Sequence, residues 1–490
     1  MTRALAVTAV LASLGACAEP RQGGDHIAAW IADTSSYGPD IAPTISVGDR
    51  YREVAQKILV AGRADRGAYA KLAQLTDRIG HRIAGSPELD RAIEWAAQTM
   101  KDDGFEVHTE RVMVPHWVRG AEDAQLLAPV ARPLPVLGLG GTVATPKGGI
   151  TANVIVVHDF TELEARASEV KGAIVLYDVA MPPYSETKGN YGYGVAVPYR
   201  SHGPARAAKL GAVGVLMRSV TPHSLHTLHT GATNYEAGQP KIPAAAVTVE
   251  DSELITRLAK TGPVQVHLHL ESQQLLDVPS ANVIAELRGR EAPDEVVVIG
   301  GHLDSWDVGQ GAHDDGAGCV EMMQAITVLK KLGLTPRRTI RVVLFTAEEY
   351  GDAQGAKAYA IDHAAELPRT VLALESDGGG FSPRGFSVSA KPEITARVVT
   401  RLTEVAALLR SLDAARITPS DHAGTDVEPM IATGVPTLNL DSNNGTYFDI
   451  HHSDADTLDK VDPAQLADAT TAIAILAYVV ADLPDRLDRP

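Results

Sequence analysis

Short continuous apolar runs alternate with longer stretches of helical spacing in the second half of the chain. The apolar runs cover residues 296–299, 340–345 and 371–374. The helical patterns cover residues 318–332, 394–409 and 463–481. Continuous apolar runs are expected of strands that are buried on both faces of a mainly parallel sheet. The alternation of strand and helix therefore predicts an α/β sandwich built on such a sheet.

The first half of the chain has a different sequence pattern. A helix is predicted to begin at Ser86 as N-cap, with Pro87 in the first helical position. Further along, Pro- and Gly-rich segments join short apolar strands, which cover residues 153–157, 173–177, 213–217, 244–249 and 264–270. This pattern predicts a mainly β insertion over residues 121–275. The insertion divides the α/β domain into residues 48–120 and 276–490.

The N-terminal residues have the pattern of an export signal. Met-Thr-Arg precedes an apolar run over residues 4–14, which is too short to cross a bilayer. The sequence Leu14-Gly15-Ala16-Cys17 resembles a lipobox, in which Cys17 carries the lipid anchor, although Ala16-Cys17-Ala18 also fits ordinary signal cleavage. We therefore expect an exported protein, either a periplasmic or outer-membrane lipoprotein or a secreted one. Residues 1–18 form the signal and residues 19–47 a linker in this interpretation.

Composition narrows the possible functions. The chain has 490 residues, which favours two domains or one domain with a large insertion. Its net charge of -17 argues against a nucleic-acid partner, because such binding depends on clustered Lys and Arg. Only two cysteines occur, Cys17 and Cys319, so a disulfide framework is excluded. Cys319 opens an apolar helix and is expected to be a small buried residue.

Acidic residues and histidines follow each of the three apolar runs. His302 and Asp304 follow the first, Glu348 and Glu349 the second, and Asp377 the third. Ligands of open α/β sheets bind beyond the carboxyl ends of the strands, so these side chains should converge. Two further segments complete the set, and they contain Asp314 before a helix and His451-His452 after an Asn- and Gly-rich turn.

Carboxylates and imidazoles gathered in a partly buried site repel or take up protons unless a cation is present. A pair of divalent metals removes this conflict. Imidazole and carboxylate ligands without thiolates suit catalytic zinc better than structural zinc, which usually recruits cysteine. The sequence thus predicts two Zn²⁺ ions, with cobalt or manganese as substitutes in vitro.

The ordered motifs resemble those of the co-catalytic zinc exopeptidases, a family that includes bacterial aminopeptidases and glutamate carboxypeptidase II. The motifs are Gly301-His302-Leu303-Asp304-Ser305-Trp306, Asp314-Asp315-Gly316, Ala347-Glu348-Glu349-Tyr350-Gly351, Ser376-Asp377 and His452-Ser453. The likeness extends from about residue 48 to the C terminus and is closest to the carboxypeptidases of that family. It implies the α/β/α sandwich of the family, with a protease-associated type of domain inserted at residues 121–275.

The resemblance also implies a role for each site residue. One zinc is bound by His302 and Asp377, the other by Glu349 and His452, and Asp314 bridges both. Glu348 is the general base that takes a proton from the attacking water and returns it to the leaving amine. Asp304 accepts a hydrogen bond from the ring of His302. The Asp314–Asp315 peptide bond is expected to be cis. The donor to the tetrahedral oxyanion is either His451 or Tyr447.

These inferences favour an exported zinc exopeptidase that acts on short peptides or dipeptides. A broad aminopeptidase is the alternative within the same class, and a non-enzymatic, receptor-like binding protein is a remote alternative, because such relatives lack zinc ligands whereas all five are present here. The insertion either roofs the cleft and limits substrate length or serves packing and dimerisation. A homodimer is implied by the resemblance alone.

Five other histidines are not expected to form a metal site. His223, His226 and His229 lie in a predicted loop, where structural or solvent-facing roles are expected. His267 and His269 alternate with apolar residues, so they should point away from the core of a half-buried strand. Motifs of other protease classes, His-Glu-x-x-His and Gly-x-Ser-x-Gly, are absent from the sequence.

Overall fold

The computed structural model describes residues 46–185 and 192–488. The predicted export signal, Cys17 and the linker up to residue 45 therefore lie outside the described residues. Val47–Pro490 form one compact unit.

The described residues contain twelve α-helices and eighteen strands. The helices are α1 (Val47–Ala64), α2 (Gly67–Arg78), α3 (Pro87–Asp102), α4 (Phe160–Ala165), α5 (Ala167–Val170), α6 (Tyr193–Lys209), α7 (Val249–Ala259), α8 (Gly318–Lys331), α9 (Gln354–Asp362), α10 (Pro392–Ala406), α11 (Tyr447–Ile450) and α12 (Pro463–Asp482). The strands are β1 (Glu106–Val114), β2 (Trp117–Val118), β3 (Glu122–Ala128), β4 (Arg132–Pro133), β5 (Val136–Gly138), β6 (Ile150–Val157), β7 (Ile174–Tyr177), β8 (Gly214–Arg218), β9 (Ala244–Val247), β10 (Gln265–Leu270), β11 (Gln273–Gln274), β12 (Val278–Leu287), β13 (Ala292–His302), β14 (Arg338–Phe345), β15 (Thr370–Glu375), β16 (Pro383–Ser389), β17 (Arg416–Pro419) and β18 (Thr437–Ser442).

The main sheet has the strand order β1-β12-β14-β13-β15-β18-β16-β17. Its four central strands, β14, β13, β15 and β18, are parallel. At one edge β12 and β1 pair antiparallel, and at the other edge β16 pairs antiparallel with β18 and parallel with β17. The sheet is therefore mixed, with a parallel centre formed by the three predicted apolar runs and β18. The antiparallel flanks are less apolar and gave no comparable signal.

Alternate residues of the central strands enter two different cores. Val297 and Ile299 of β13 pack with helices α1, α3, α8, α10 and α12 on one face. Val296 and Val298 pack with α9 and residues 427–435 on the other face. This two-sided burial confirms the predicted α/β/α sandwich and explains why β13 reads as a continuous apolar run.

Helix α12 is long and apolar enough to cross a membrane by composition alone. In this fold 83% of its most apolar 18-residue window is buried, and the helix packs against α1 and α8. It is therefore a core helix of the sandwich. The predicted start of α3 is also confirmed, because the Ser86 hydroxyl accepts a hydrogen bond from the backbone N–H of Leu89 at 3.1 Å.

A second eight-stranded sheet, with the order β4-β3-β10-β6-β7-β8-β9-β5, lies within residues 122–270. The prediction of a mainly β insertion missed two helices, α6 and α7, which pack against the two faces of this sheet. Pro198 and Pro204 inside α6 concealed its helical pattern. In α7 the apolar run 244–249 extends past the strand, and Thr248 caps the helix by accepting from the Asp251 N–H.

Candidate metal centre

The five predicted ligands converge at the carboxyl edge of the main sheet. His302 ends β13, Glu349 follows β14 and Asp377 follows β15. Asp314 lies in the turn before α8, and His452 follows α11. The sheet therefore brings together side chains that are as many as 150 positions apart in the sequence, as 452 and 302 are.

Asp314 occupies the middle of the cluster. Its Oδ1 lies 3.4 Å from His302 Nε2, which in turn lies 3.5 Å from Asp377 Oδ1. Its Oδ2 lies 3.2 Å from His452 Nε2, which is 3.0 Å from Glu349 Oε1. Each carboxylate oxygen of Asp314 thus faces a different pair of predicted ligands, as a bridging carboxylate requires.

The donor set fits divalent cations. Asp314 Oδ2, Glu349 Oε1 and Asp377 Oδ1 are buried and make no hydrogen bond of acceptable geometry within the described residues. Buried carboxylate oxygens without partners are costly unless a cation compensates them. Two groups of side chains could each hold a metal ion, because the ligand atoms within each group all lie within 4.8 Å of one another. One group is His302, Asp314 and Asp377, and the other is Asp314, His451 and His452. Nitrogen and oxygen donors of this kind suit zinc.

The pKa shifts of the predicted ligands point the same way. Burial disfavours the charge of Asp314, but the neighbouring rings of His302 and His452 outweigh burial and hold its pKa well below the usual range. Burial and the nearby charge of Asp314 raise the pKa of Glu349 to about 7. Burial would lower the pKa of His452, yet Glu349 and Asp314 raise it to about 9. These pKa shifts arise because buried carboxylates and imidazoles lie close together, a situation that a cation would relieve.

Glu348 lies beside the ligands on the wall of a cavity of about 680 Å³. Burial, together with the charges of Glu349 and Asp377, raises the pKa of its carboxyl group well above the usual value. The same cavity is lined by Asp314, Glu349, Asp377 and His452. Glu348 is therefore placed to contact a molecule bound next to the ligand cluster.

The structure corrects the predicted contact of Asp304. The ring Nδ1 of His302 donates to the backbone carbonyl of Asp304 at 3.1 Å, whereas the Asp304 carboxylate lies 3.9 Å away. That carboxylate instead accepts hydrogen bonds from the backbone N–H groups of Glu348 at 3.1 Å and Glu349 at 3.2 Å. Asp304 consequently holds the segment that carries the general base candidate, and only its main chain orients His302.

Two acidic residues with supporting contacts were not assigned from the sequence. Asp315 forms the expected cis peptide bond with Asp314, and its carboxylate accepts from the backbone N–H groups of His302 and Gly318, each at 3.1 Å. Asp456 accepts from the backbone N–H groups of His313 at 2.8 Å and Asp314 at 3.1 Å. Backbone acceptors of this kind have no motif, so no sequence signal could have identified Asp456.

Trp306 is a further residue that sequence reasoning did not assign. Its indole N–H donates to Glu349 Oε2 at 2.7 Å, which leaves Oε1 facing His452. Trp306 belongs to the same sequence motif as His302 and Asp304, and its place in that motif could have indicated a role at the site. Trp306 therefore orients one predicted ligand.

His451 and Tyr447 both border the cavity. The His451 ring stacks on His452 with ring centroids 3.5 Å apart, and its Nε2 lies 3.6 Å from Asp314 Oδ2. Burial and the neighbouring His452 hold the pKa of His451 well below its usual value, so the ring is neutral. The Tyr447 ring centroid lies 5.1 Å from that of His451. Both side chains can reach a molecule in the cavity, and the geometry does not separate them.

The remaining histidines behave differently from one another. His223 pairs with Asp449 at 2.5 Å on the surface, whereas His229 is buried and bonds to the backbone of His451. His267 and His269 bond to Thr151 and Asp123 on the sheet surface, as their alternation predicted. Among the described residues none of these histidines belongs to a group that could hold a metal. Cys319 is buried, as expected.

Comparison with known proteins identifies relatives over nearly the whole chain. The family model described as Peptidase family M28 matches residues 282–477. Carboxypeptidase Q of Mus musculus is 42% identical over 444 residues, covering 90% of this chain and 91% of that protein. Carboxypeptidase Q of Homo sapiens is 41% identical over 442 residues, covering 89% and 90%.

Solved structures agree with the fold. The crystal structure of a Peptidase M28 precursor from Shewanella amazonensis SB2B has a TM-score of 0.84 and 36% identity, and it covers 90% of this chain and 99% of that chain. An aminopeptidase from Aneurinibacillus sp. strain AM-1 has a TM-score of 0.62 at 21% identity, covering 89% and 98%, which shows a shared fold.

Proposed function

Because the chain belongs to peptidase family M28 and is a zinc-dependent exopeptidase, we propose that it uses two zinc ions to hydrolyse terminal bonds of short peptides or dipeptides. The observation that carries this proposal is the central position of Asp314, whose two carboxylate oxygens face His302 and His452 separately. A single metal would leave one of these groups without a cation.

Each metal has its own set of residues in this proposal. His302 and Asp377 hold one zinc, Glu349 and His452 hold the other, and Asp314 contacts both. When bound, the pair of zinc ions polarises the scissile carbonyl and makes a water molecule acidic enough to attack near neutral pH.

Glu348 moves the proton. Its carboxylate accepts a proton from the attacking water and then donates it to the nitrogen of the leaving amine, so no covalent intermediate with the protein forms. The support is its place on the cavity wall beside Asp314 and Asp377. His451 or Tyr447 donates a hydrogen bond to the oxyanion that develops on the carbonyl oxygen.

The substrate end follows from the relatives. Proteins named carboxypeptidase Q are similar over about 90% of both chains, whereas the aminopeptidase above shares only the fold. We therefore propose release of the C-terminal residue, with aminopeptidase action as the alternative. A panel of matched short peptides distinguishes the two, because a carboxypeptidase cleaves N-blocked peptides and spares C-amidated ones, whereas an aminopeptidase does the reverse.

The central test is Glu348→Gln, which keeps the size of the side chain but removes its basicity. We expect zinc content equal to that of the wild type and a loss of kcat of about 10²-fold to 10⁴-fold. Elemental analysis and peptide hydrolysis measured on the same preparation report both quantities. Turnover within a few fold of the wild type would reject Glu348 as the base.

Export and lipidation are proposed from residues 4–17 alone. Expression of Cys17→Ala with radiolabelled palmitate tests them, because a lipoprotein loses the label and leaves the membrane fraction.

We also propose that residues 121–275 limit substrate length, since Tyr193, Asn234 and Tyr235 line the cavity. Rates on dipeptides and longer peptides measure this limit, and gel filtration with light scattering tests the proposed homodimer.

A further inference from the structure

We infer that the inserted domain positions His452 and thereby stabilises one of the two metals selectively. The residues responsible are His229-Thr230-Gly231 and Arg200, which are called the clamp below. This inference rests on the proposed binding of two metals. It assigns no new ligand. It assigns positioning residues in a part of the chain that was expected to roof the cleft or to support packing.

The clamp binds the main chain on both sides of the ligand. His229 Nδ1 lies 2.6 Å from the carbonyl oxygen of His451, and the backbone N–H of Thr230 donates to the carbonyl oxygen of His452 at 3.0 Å. A carbonyl oxygen only accepts, so the proton of His229 must be on Nδ1. Nε2 of this neutral ring then accepts from the hydroxyl of Thr227 at 2.8 Å. The tautomer of His229 is fixed from both sides.

The clamp also reaches the ring of His452. With Nε2 directed at Asp314 and Glu349, the other ring nitrogen, Nδ1, faces the carbonyl oxygen of Thr230 at 3.3 Å. Arg200 Nη1 donates to the same carbonyl oxygen at 3.2 Å. A metal-bound histidine commonly donates its free N–H to such an acceptor, which fixes the orientation of the ring.

His452 needs this support because of its backbone. Its φ of 59° lies in the left-handed region, where a residue with a side chain is disfavoured and persists only when the surroundings impose it. The contacts from residues 229 and 230 bind the carbonyl groups directly before and at this strained position. Ligand His452 therefore depends on the inserted domain for both backbone and ring.

The clamp is packed closely and leaves little freedom. His229 and Thr230 are 1% and 0% exposed. Gly231 has a φ of 136°, and a Cβ at this position would lie 2.2 Å from Arg200 Cζ, so the guanidinium group lies directly against the glycine. Arg200 also donates to the hydroxyl of Tyr193 at 2.9 Å. A side chain at residue 231 would therefore displace Arg200 from Thr230.

The other metal has separate supports. His302 donates to the backbone carbonyl of Asp304 and to the carboxylate of Asp315, and its carbonyl oxygen accepts from the thiol of Cys319. All three partners belong to residues 276–490. The clamp thus acts on the Glu349 and His452 group and leaves the His302 and Asp377 group to the main sheet. The two metals should respond differently when the clamp is broken.

The test is chelator competition on zinc-loaded and cobalt-loaded protein, with metal content and the cobalt absorption spectrum as readouts. For His229→Ala we expect one metal per chain to dissociate at a free chelator concentration roughly 10-fold to 100-fold lower than in the wild type. The second metal should stay within about 3-fold of the wild type. Gly231→Ala, which acts through Arg200, should give the same selective loss.

Two controls make the result specific. His229→Asn keeps an N–H donor near the position of Nδ1 and should restore most of the lost affinity. His269→Ala changes a histidine on the surface of the same domain and should leave both metals unchanged. Equal weakening of both metals, or no weakening in either His229→Ala or Gly231→Ala, would overturn the clamp. The metal content of the wild type is measured before any variant is compared. A wild type that binds a single metal would contradict the proposed function rather than the clamp.

Discussion

Replacement of Asp304 by Asn tests whether this carboxylate serves the base segment or the ring of His302. The carboxylate accepts two backbone N–H groups, those of Glu348 and Glu349. Two hydrogen bonds to an ionised acceptor contribute roughly 3 to 6 kcal/mol, and the one neutral bond that Asn retains contributes roughly 1 kcal/mol. The NH₂ group of the introduced Asn would face the second backbone N–H, so only one of the two hydrogen bonds is kept. The expected loss in the free energy of unfolding is therefore about 2 to 5 kcal/mol.

The catalytic effect of Asp304→Asn should exceed its effect on metal binding at His302. A displacement of about 1 Å of a catalytic group costs about 10²-fold in rate. The main-chain carbonyl that accepts from the His302 ring is untouched by the substitution. We therefore expect kcat to fall by about 10²-fold in protein that retains its zinc.

The assay combines kcat on a dipeptide, zinc content and urea unfolding on the same preparations. Asp307→Asn is a matched control, because it makes the same chemical change three positions along, where the carboxylate binds Arg119 at 2.8 Å. The control should lose stability without losing kcat at saturating substrate. Zinc loss from Asp304→Asn with full activity at excess zinc would refute the assignment and restore the ring of His302 as the partner.

Three further predictions concern Trp306, metal removal and His363. Trp306→Phe removes the indole donor to Glu349, so one metal should be released about 10-fold to 100-fold more easily, measured as the chelator concentration that halves activity. Removal of metal from the wild type by chelation should abolish hydrolysis and lower Tm, since buried carboxylates lose their cation, and added zinc should reverse both changes. His363 contacts Glu110 and Glu366, and these carboxylates outweigh burial and raise the pKa of His363 to about 9. The pKa of Glu366 falls to about 2, and the hydrogen bond from His363 is the largest cause. The raised pKa of the histidine means that its stabilisation is complete below pH 6.5 and is lost as pH rises through 9, whereas that of Glu366 is lost only as pH falls from 4.5 towards 2. His363→Gln should therefore cost about 1 kcal/mol near pH 6 and much less near pH 10, by urea unfolding across that range.

The parts of the fold that were predicted from the sequence are those in which burial leaves a simple pattern. Strand β13 is apolar on both faces because it lies between two cores, so its run was visible. Helix α6 was missed because Pro198 and Pro204 interrupt its pattern, although the surrounding tertiary structure accommodates them. Helix α7 was missed because its first residue, Val249, continues the apolar run of the preceding strand.

The convergence of the predicted ligands could be expected from the sequence, whereas the contacts that support them could not, for a physical reason. A ligand must expose a nitrogen or oxygen at a strand end, and this requirement gives His302 and Asp377 a position that a sequence reveals. A support such as His229 needs only to meet a carbonyl oxygen that folding brings close, here that of His451, which is 222 positions away. Nothing local in the sequence records such a contact.

One arrangement nevertheless recurs around the centre and has a single explanation. Asp304, Asp315 and Asp456 each accept two backbone N–H groups, and in each case the segment held includes a predicted ligand or the base. A carboxylate suits this task because its two oxygens can accept from two backbone N–H groups and its charge strengthens both hydrogen bonds. The acidic residues near the site thus exceed the number that two metals need. The surplus holds the loops at the strand ends in the geometry that the predicted ligands require.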